Sequence, residues 1–258
     1  MRLSQEQAAH YDRYGYLFFH RLFGPDEVAQ LRDAVPGVIA TGGAGLMRES
    51  TAGAVRLVHG PHLTHELIGR LSRHPRLLAP ARQLLGTDVY TFQSRLVMKD
   101  GIGRHSHPGY PWHQDFSTWY DTDGMPEPRA LVFAVFIDEV TACNAPVLLV
   151  PRSHRHGILR HYDEPEITPT KLAELVEENG IVAQLGAPGS VLLIHPNLVH
   201  ASGPNISPLR RAFYYIIYNS VTNLCVKNVR KPHHSNPDVT PLVALEDDCL
   251  LEAAGAAQ

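Results

Sequence analysis

The stretch that most restricts the fold is Val89-Tyr90-Thr91-Phe92-Gln93-Ser94-Arg95-Leu96-Val97-Met98-Lys99. It is dense in β-forming residues and closed by the turn signal Asp100-Gly101. Alternation puts Gln93, Arg95, Val97 and Lys99 on one face and Phe92, Ser94, Leu96 and Met98 on the other. A polar, cationic face on so long a strand fits a barrel interior that binds an anion, or the wet side of an edge strand. Further strands follow. Residues 130–138 are apolar on both faces, the pattern of a central strand, and residues 212–219 form the last strong strand. Between them, a turn at Asn144-Ala145-Pro146 leads into a buried strand, and residues 189–195 form another.

The first third of the chain reads differently. Ser4, with Gln7 three residues later, starts a helix that runs to about Tyr14 and stops at Gly15. A short strand covers residues 16–19, and a second helix covers residues 27–35 with Val28, Leu31 and Val35 on one face. Residues 36–60, rich in Gly and without periodicity, read as a loop or an ordering lid, with Arg48 and Arg56 either solvated or closing over a ligand. Helices are expected over residues 63–72 and 76–85, and an inserted one after Thr168-Pro169. Periodicity is lost after about Asn223, and residues 252–258 read as a loose tail.

Helices first and many strands afterwards imply a mainly β protein: a double-stranded β-helix, or cupin-like jelly roll, with flanking N-terminal α-helices. At 258 residues one domain suffices, with a helical wall over about 1–87, a jelly-roll core over about 88–223 and a C-terminal extension over about 224–258. A charged fraction of 19% and a net charge of −3 give no basic footprint for nucleic acid. No apolar run reaches membrane-spanning length, and the N-terminus has no apolar core to serve as a signal peptide. Three widely spaced cysteines form no disulfide framework, so a reducing cytoplasm is expected.

The chemistry converges on Trp112-His113-Gln114-Asp115-Phe116-Ser117-Thr118-Trp119. His113 and Asp115, two apart on a strand, share a face and could meet on one metal. The third ligand would be His200, behind the strand and turn that end in Leu198-Val199. Two His and one carboxylate with open positions opposite form the facial triad of non-haem Fe(II) oxygenases. With 16 histidines in the chain, His113 or His200 alone would read as structural. Arg211 adds weight, because it opens the last strand and a guanidinium can hold a carboxylate bidentately, whereas Arg210 would face the other way. A zinc hydrolase could use the same three ligands, but it would lack an obvious general base and leave Arg211 without a task.

Three stretches carry a family resemblance: Trp112 to Phe116 with Trp119; Asp121-Thr122-Asp123-Gly124-Met125-Pro126 with Pro128-Arg129-Ala130; and His200 with Pro204-Asn205-Ile206-Ser207-Pro208 and Arg211. On these, the chain from Tyr11 to about Pro241 resembles the phytanoyl-CoA dioxygenase-like superfamily of Fe(II)/2-oxoglutarate oxygenases. Within it, the pattern is similar to the bacterial hydroxylases of ectoine and of free amino acids such as leucine. The resemblance implies His113, Asp115 and His200 as iron ligands, and 2-oxoglutarate and O2 as cosubstrates. It implies Arg211 as the partner of the distal carboxylate of 2-oxoglutarate, with Ser202, Lys99 and Gln93 as helpers. Gln93 and Trp119 would lie against substrate. Relatives often carry Asn where this chain has Val97, so one polar contact to the cosubstrate is missing or comes from Gln93. Asp115 argues for hydroxylation, since halogenating relatives replace the ligand carboxylate. The substrate would be a small zwitterion such as a free L-amino acid, or else a carrier- or peptide-bound residue. Arg129 would meet a substrate carboxylate or form a structural ion pair, and Asp121 or Asp123 would meet an ammonium group or serve the turn.

Overall fold

Ser4 accepts a hydrogen bond from Gln7 N while Gln7 Oε1 accepts from Ser4 N, closing the capping box at the start of helix α1 (Gln5–Tyr14). Gly15 ends the helix at φ 81°, where an added Cβ would also strike His154. This computed structural model describes residues 1–49, 53–101, 109–161, 167–227 and 230–252. Strand β1 (Tyr16–Phe19), α2 (Pro25–Asp33) and α3 (Val35–Thr41) follow.

The segment expected to be a loop or lid is instead largely part of the scaffold. It supplies α3, β2 (Leu46–Arg48) and β3 (Val55–His59), and β3 pairs with β4 (Val89–Lys99) through Leu57↔Val97 and His59↔Arg95. Its strands are too short for their alternation to register in the sequence. Arg48 donates to Gly53 O, and Arg56 lies 5.1 Å over the Tyr110 ring. The tip, residues 50–52, lies outside the described residues. The helix expected over 63–72 is two, α4 (Pro61–Thr64) and α5 (Glu66–Leu71), because His65 between them is extended at φ −134° and ψ 117°. Next comes α6 (Pro75–Leu85).

The later elements are β5 (Tyr110–His113), α7 (Asp115–Thr118), β6 (Ala130–Phe136), β7 (Val147–Leu149), α8 (Pro169–Asn179), β8 (Val182–Gln184), β9 (Val191–Ile194), β10 (His200–Ser202) and β11 (Arg211–Ser220). Antiparallel pairing builds a seven-stranded sheet, β1-β9-β6-β11-β4-β3-β2, and a four-stranded sheet, β5-β10-β7-β8. Both are the layers of the jelly roll.

Two apolar clusters explain why β6 is apolar on both faces. Leu131, Phe133 and Val135 join Tyr214 and Ile216 of β11 in packing on the helices through Leu31, Ile68 and Leu77. Val132, Ala134 and Phe136 face inward with Leu149, Leu192 and Phe213. The even spread over both faces follows from the two-residue period of a strand.

The expected alternation of β4 holds from Gln93 to Lys99 and fails before it. Gln93 pairs with Ile217 but Thr91 pairs with Tyr218, so Phe92 is the extra residue of a β-bulge. The bulge turns Phe92 inward, edge-to-face with Trp119 at 5.4 Å, whereas Leu96 and Met98 pack on the helices. Asn236 donates from its backbone N to Phe92 O and from its side chain to Thr91 O, satisfying the carbonyls at the bulge. The C-terminal extension is thus irregular, as expected, yet tied down. Leu242 N donates to Val89 O, Arg76 pairs with Asp247, and Cys249 and Leu250 are buried. Residues 253–258 of the expected loose tail lie outside the described residues.

Candidate active site

His113 ends β5, Asp115 opens α7 and His200 opens β10. The strand expected to carry both His113 and Asp115 stops at His113. Gln114 remains extended at φ −120° and ψ 134°, so the two side chains still point the same way. Pairing of β5 with β10 sets His200 opposite His113, with ring centroids 4.2 Å apart, and His200 Nε2 lies 3.8 Å from Asp115 Oδ2. One ligand atom from each of the three lies within 4.8 Å of the others.

The donor set suits a divalent metal. His113 Nδ1 lies 2.7 Å from Pro111 O, and His200 Nδ1 lies 2.9 Å from Leu198 O. A carbonyl only accepts, so each Nδ1 carries the proton and each Nε2 presents a lone pair. Burial, and then the neighbouring His200, hold His113 neutral, with its pKa pushed down to about 4.

Gln114 was missed by sequence reading. It is fully buried on the opposite side, donating to Gly157 O and Asn197 O and accepting from Leu159 N. The alternation His-Gln-Asp was the available signal, because two ligands facing inward send the middle side chain into the wall.

A cavity runs from the triad between the sheets, and Arg211, Ser202, Arg95 and Val97 line it. Arg211 is 1% exposed, lies 4.2 Å over the Phe213 ring, and has Nε and one terminal nitrogen buried without a hydrogen-bond partner. Burial pulls its pKa down, opposed by the neighbouring Tyr215 and Tyr110 hydroxyls. Arg210 points away to a bidentate contact with Asp138, as expected. Lys99 is buried beside Arg211, and its ammonium donates to Ser202 Oγ at 2.8 Å and to the carbonyls of Ser202 and Gly203. Burial, then Arg211 and Arg56, push it down to about 7. Lys99 therefore spends its donors on holding Ser202.

The other expected contacts fall elsewhere. Gln93 is 2% exposed, with its amide engaged by Arg95 and His234 O. Trp119 is 1% exposed in the inner core, packed against Phe92. Arg129 donates to Leu85 O and Thr222 Oγ1, tying α6 to the end of β11. Asp121 lies beside His161 at 3.1 Å, and the fully buried Asp123 is paired with Arg230.

A jelly roll carrying a two-His, one-carboxylate triad beside a buried arginine defines a non-haem iron oxygenase. The chain belongs to the phytanoyl-CoA dioxygenase (PhyH) family, whose model matches residues 11–213. It is 37% identical over 253 residues to an ectoine dioxygenase of Sphingopyxis alaskensis, covering 89% of this chain and 81% of that one. It is 35% identical over 259 residues to an L-proline trans-4-hydroxylase of Streptomyces griseoviridis, covering 93% and 95%. The crystal structure of EctD from S. alaskensis with 2-oxoglutarate and 5-hydroxyectoine superposes at a TM-score of 0.85 and 35% identity, covering 95% of this chain and 87% of that one. The chain is an iron- and 2-oxoglutarate-dependent dioxygenase, a hydroxylase of a small substrate.

Proposed function

We propose that the substrate is a small zwitterion, a free L-amino acid or a related natural-product building block. In this reading His113, Asp115 and His200 hold the iron, and Arg211 holds the distal carboxylate of 2-oxoglutarate with Ser202 beside it. The observation that carries it is Arg211, a buried guanidinium with unpaired N–H groups in the cavity that the triad lines. Iron, 2-oxoglutarate and O2 supply the oxidation, in which one oxygen atom enters a substrate C–H bond and the other leaves in succinate as CO2 is released. The protein's part is placement. Arg211 fixes the cosubstrate end, the two backbone carbonyls fix the imidazole tautomers, and the apolar walls from Leu57, Val132 and Ile217 exclude water.

The relatives named for ectoine and L-proline support a small substrate. A carrier- or peptide-bound residue is the second candidate, and it differs in having no free carboxylate. No described helix is long and apolar enough to cross a membrane. A cytoplasmic location belongs to this reading, since a reducing compartment keeps iron ferrous.

The test is anaerobic titration of Fe(II) into the metal-free protein with 2-oxoglutarate, followed by the visible metal-to-ligand charge-transfer band. A band that weakens in His113→Ala and in Arg211→Ala is expected. A succinate-release screen over free amino acids and ectoine then finds the substrate. Bound metal without a band would overturn the cosubstrate assignment, and turnover of a tethered residue alone would overturn the free amino acid.

A further inference from the structure

Arg211 stands at the very end of a ladder. Arg211↔Lys99 is the first pair of β11 with β4, whereas the pairing of β11 with β6 begins at Phe213↔Phe136. Beyond that pair Ile137 N donates to Ala212 O, one residue short of Arg211. The arginine is therefore in register on one side alone, at a strand terminus, where local opening costs least. Yet a guanidinium that fixes the far end of a metal-bound ligand has to stand at a set distance from the metal. On the β6 side, the neighbouring Arg210 is tied to Asp138. The β4 side needs its own tie.

Asn205 supplies it. This residue is buried in the loop that leads from β10 to β11, and its side-chain amide is fully engaged. Nδ2 donates to Lys99 O at 3.1 Å and to Leu209 O at 2.6 Å. Oδ1 accepts from Ser207 N at 3.0 Å and from Ser207 Oγ at 2.9 Å, and Leu209 N donates in turn to Ser207 Oγ. One amide thus bridges the carbonyl of the β4 residue opposite Arg211 to the carbonyl two residues before Arg211.

The loop closes tightly on the end of β4. A Cβ added to Gly101 would lie 2.4 Å from Pro208 C and 2.6 Å from Ser207 O, so the two segments meet backbone to backbone. Ile206 and Leu209 are 63% and 54% exposed and anchor the loop little by burial. Its shape rests on hydrogen bonds, and Asn205 makes four of them. Lys99 completes the arrangement. Its carbonyl is held by Asn205, and its ammonium holds Ser202 and the Gly203 carbonyl at the front of the same loop. Ser202 and Arg211 are thereby both referenced to one point, the end of β4.

We propose that Asn205 is a positioning residue for the cosubstrate. By tying the entry of β11 to the end of β4 it sets the reach from the metal triad to Arg211, and with it the length of 2-oxo diacid that fits between them. The inference rests on the reading in which Arg211 holds the distal carboxylate of 2-oxoglutarate.

The experiment compares 2-oxoglutarate with 2-oxoadipate, one methylene longer, by titrating each into the anaerobic Fe(II) protein and following the charge-transfer band. Both diacids carry the same charges, so the ratio of their affinities reports reach rather than charge. The wild type is expected to favour 2-oxoglutarate by roughly tenfold or more, the worth of one misfitted methylene. Asn205→Asp keeps the shape of the side chain and removes both amide donations, and Asn205→Ala removes the tie altogether. In each, 2-oxoglutarate binding should weaken by roughly tenfold and the preference should fall below about threefold, with Fe(II) affinity unchanged. Ser207→Ala leaves both amide donations in place and is expected to lower Tm while keeping the preference, which separates positioning from loop stability. A wild-type preference in the Asn205 variants, or its collapse in Ser207→Ala as well, overturns the inference. So does equal binding of the two diacids by the wild type. Arg211→Met tells the two readings apart. If it weakens 2-oxoglutarate while the Asn205 variants do not, only this inference falls; if it binds 2-oxoglutarate like the wild type, the role given to Arg211 falls and this inference with it.

Discussion

His113 and His200 are register partners on two antiparallel strands, and each gives its Nδ1 hydrogen to the carbonyl two residues before it, Pro111 O and Leu198 O. The same local device on two strands leaves two Nε2 lone pairs converging beside Asp115. The metal site is therefore built by strand pairing and preset in tautomer before any metal arrives.

His200→Ala and Asp115→Ala should each lower iron-dependent succinate formation by roughly 100-fold or more, since even outer partners of metal ligands are worth 10–100-fold. Fe(II) titration should show the lost affinity directly, with the circular dichroism spectrum unchanged. Retained activity at saturating iron in both variants would remove the triad assignment.

Arg211→Met keeps much of the buried volume and removes the charge. Loss of a bidentate charged contact costs about 1.5–3 kcal/mol or more, so the KM for 2-oxoglutarate should rise by roughly 10- to 100-fold. Steady-state kinetics with 2-oxoglutarate as the varied reactant checks this. An unchanged KM would show that the unpaired N–H groups of Arg211 serve another ligand.

Gln114→Ala would strip partners from two buried carbonyls and one N–H behind the ligand pair. A loss of about 3 kcal/mol is expected, lowering Tm by roughly 6–12 °C in a chain of this size. Calorimetry measures it. A Tm within about 2 °C of the wild type would mean that water replaces the side chain at no cost.

Acid should destabilise the fold through histidines kept neutral. Burial pushes His62 down to about 4; burial and then His154 push His195 down to about 3. Unfolded, each binds a proton below about pH 6.5, which the native state refuses. Stability is therefore complete above pH 6.5 and lost as pH falls from there toward each lowered pKa, by about 1.4 kcal/mol per pH unit per group. Urea unfolding at pH 7.5 and 5.5 should differ by roughly 2–3 kcal/mol from these two groups alone. The difference should shrink in His195→Gln, and an equal difference in that variant would exclude His195 as a source.

Where local chemistry decides a structure, the sequence was readable. Ser4 with Gln7, and Thr168 with Pro169, set their helix starts by capping alone, and the limits of β4 follow from its β-formers and the Asp-Gly turn. The triad was legible because a ligand pair needs a fixed two-residue spacing. What failed were features set by distant partners. Val55–His59 became a strand because β4 offered an edge, Leu46–Arg48 because β3 then offered another, and Phe92 turned inward because the bulge lies opposite Ile217 and Tyr218. For Arg129 the sequence left a substrate contact and a structural pairing both open, and its hydrogen bonds to Leu85 O and Thr222 Oγ1 come from distant segments.

The sequence by itself determined the capped helix starts and the long strands, that three ligands and an arginine exist, and which face of β4 carries charge from Gln93 to Lys99. Those facts depend on propensity, period and side-chain chemistry, all of which act within a few residues. The tertiary structure alone decided the counter-ions. Arg210 meets Asp138 and Arg230 meets Asp123, while Arg211 lines the cavity with Nε and one terminal nitrogen lacking a hydrogen-bond partner. A charge finds or lacks its partner across strands far apart in sequence, and the cavity around Arg211 is the place for a ligand to supply one.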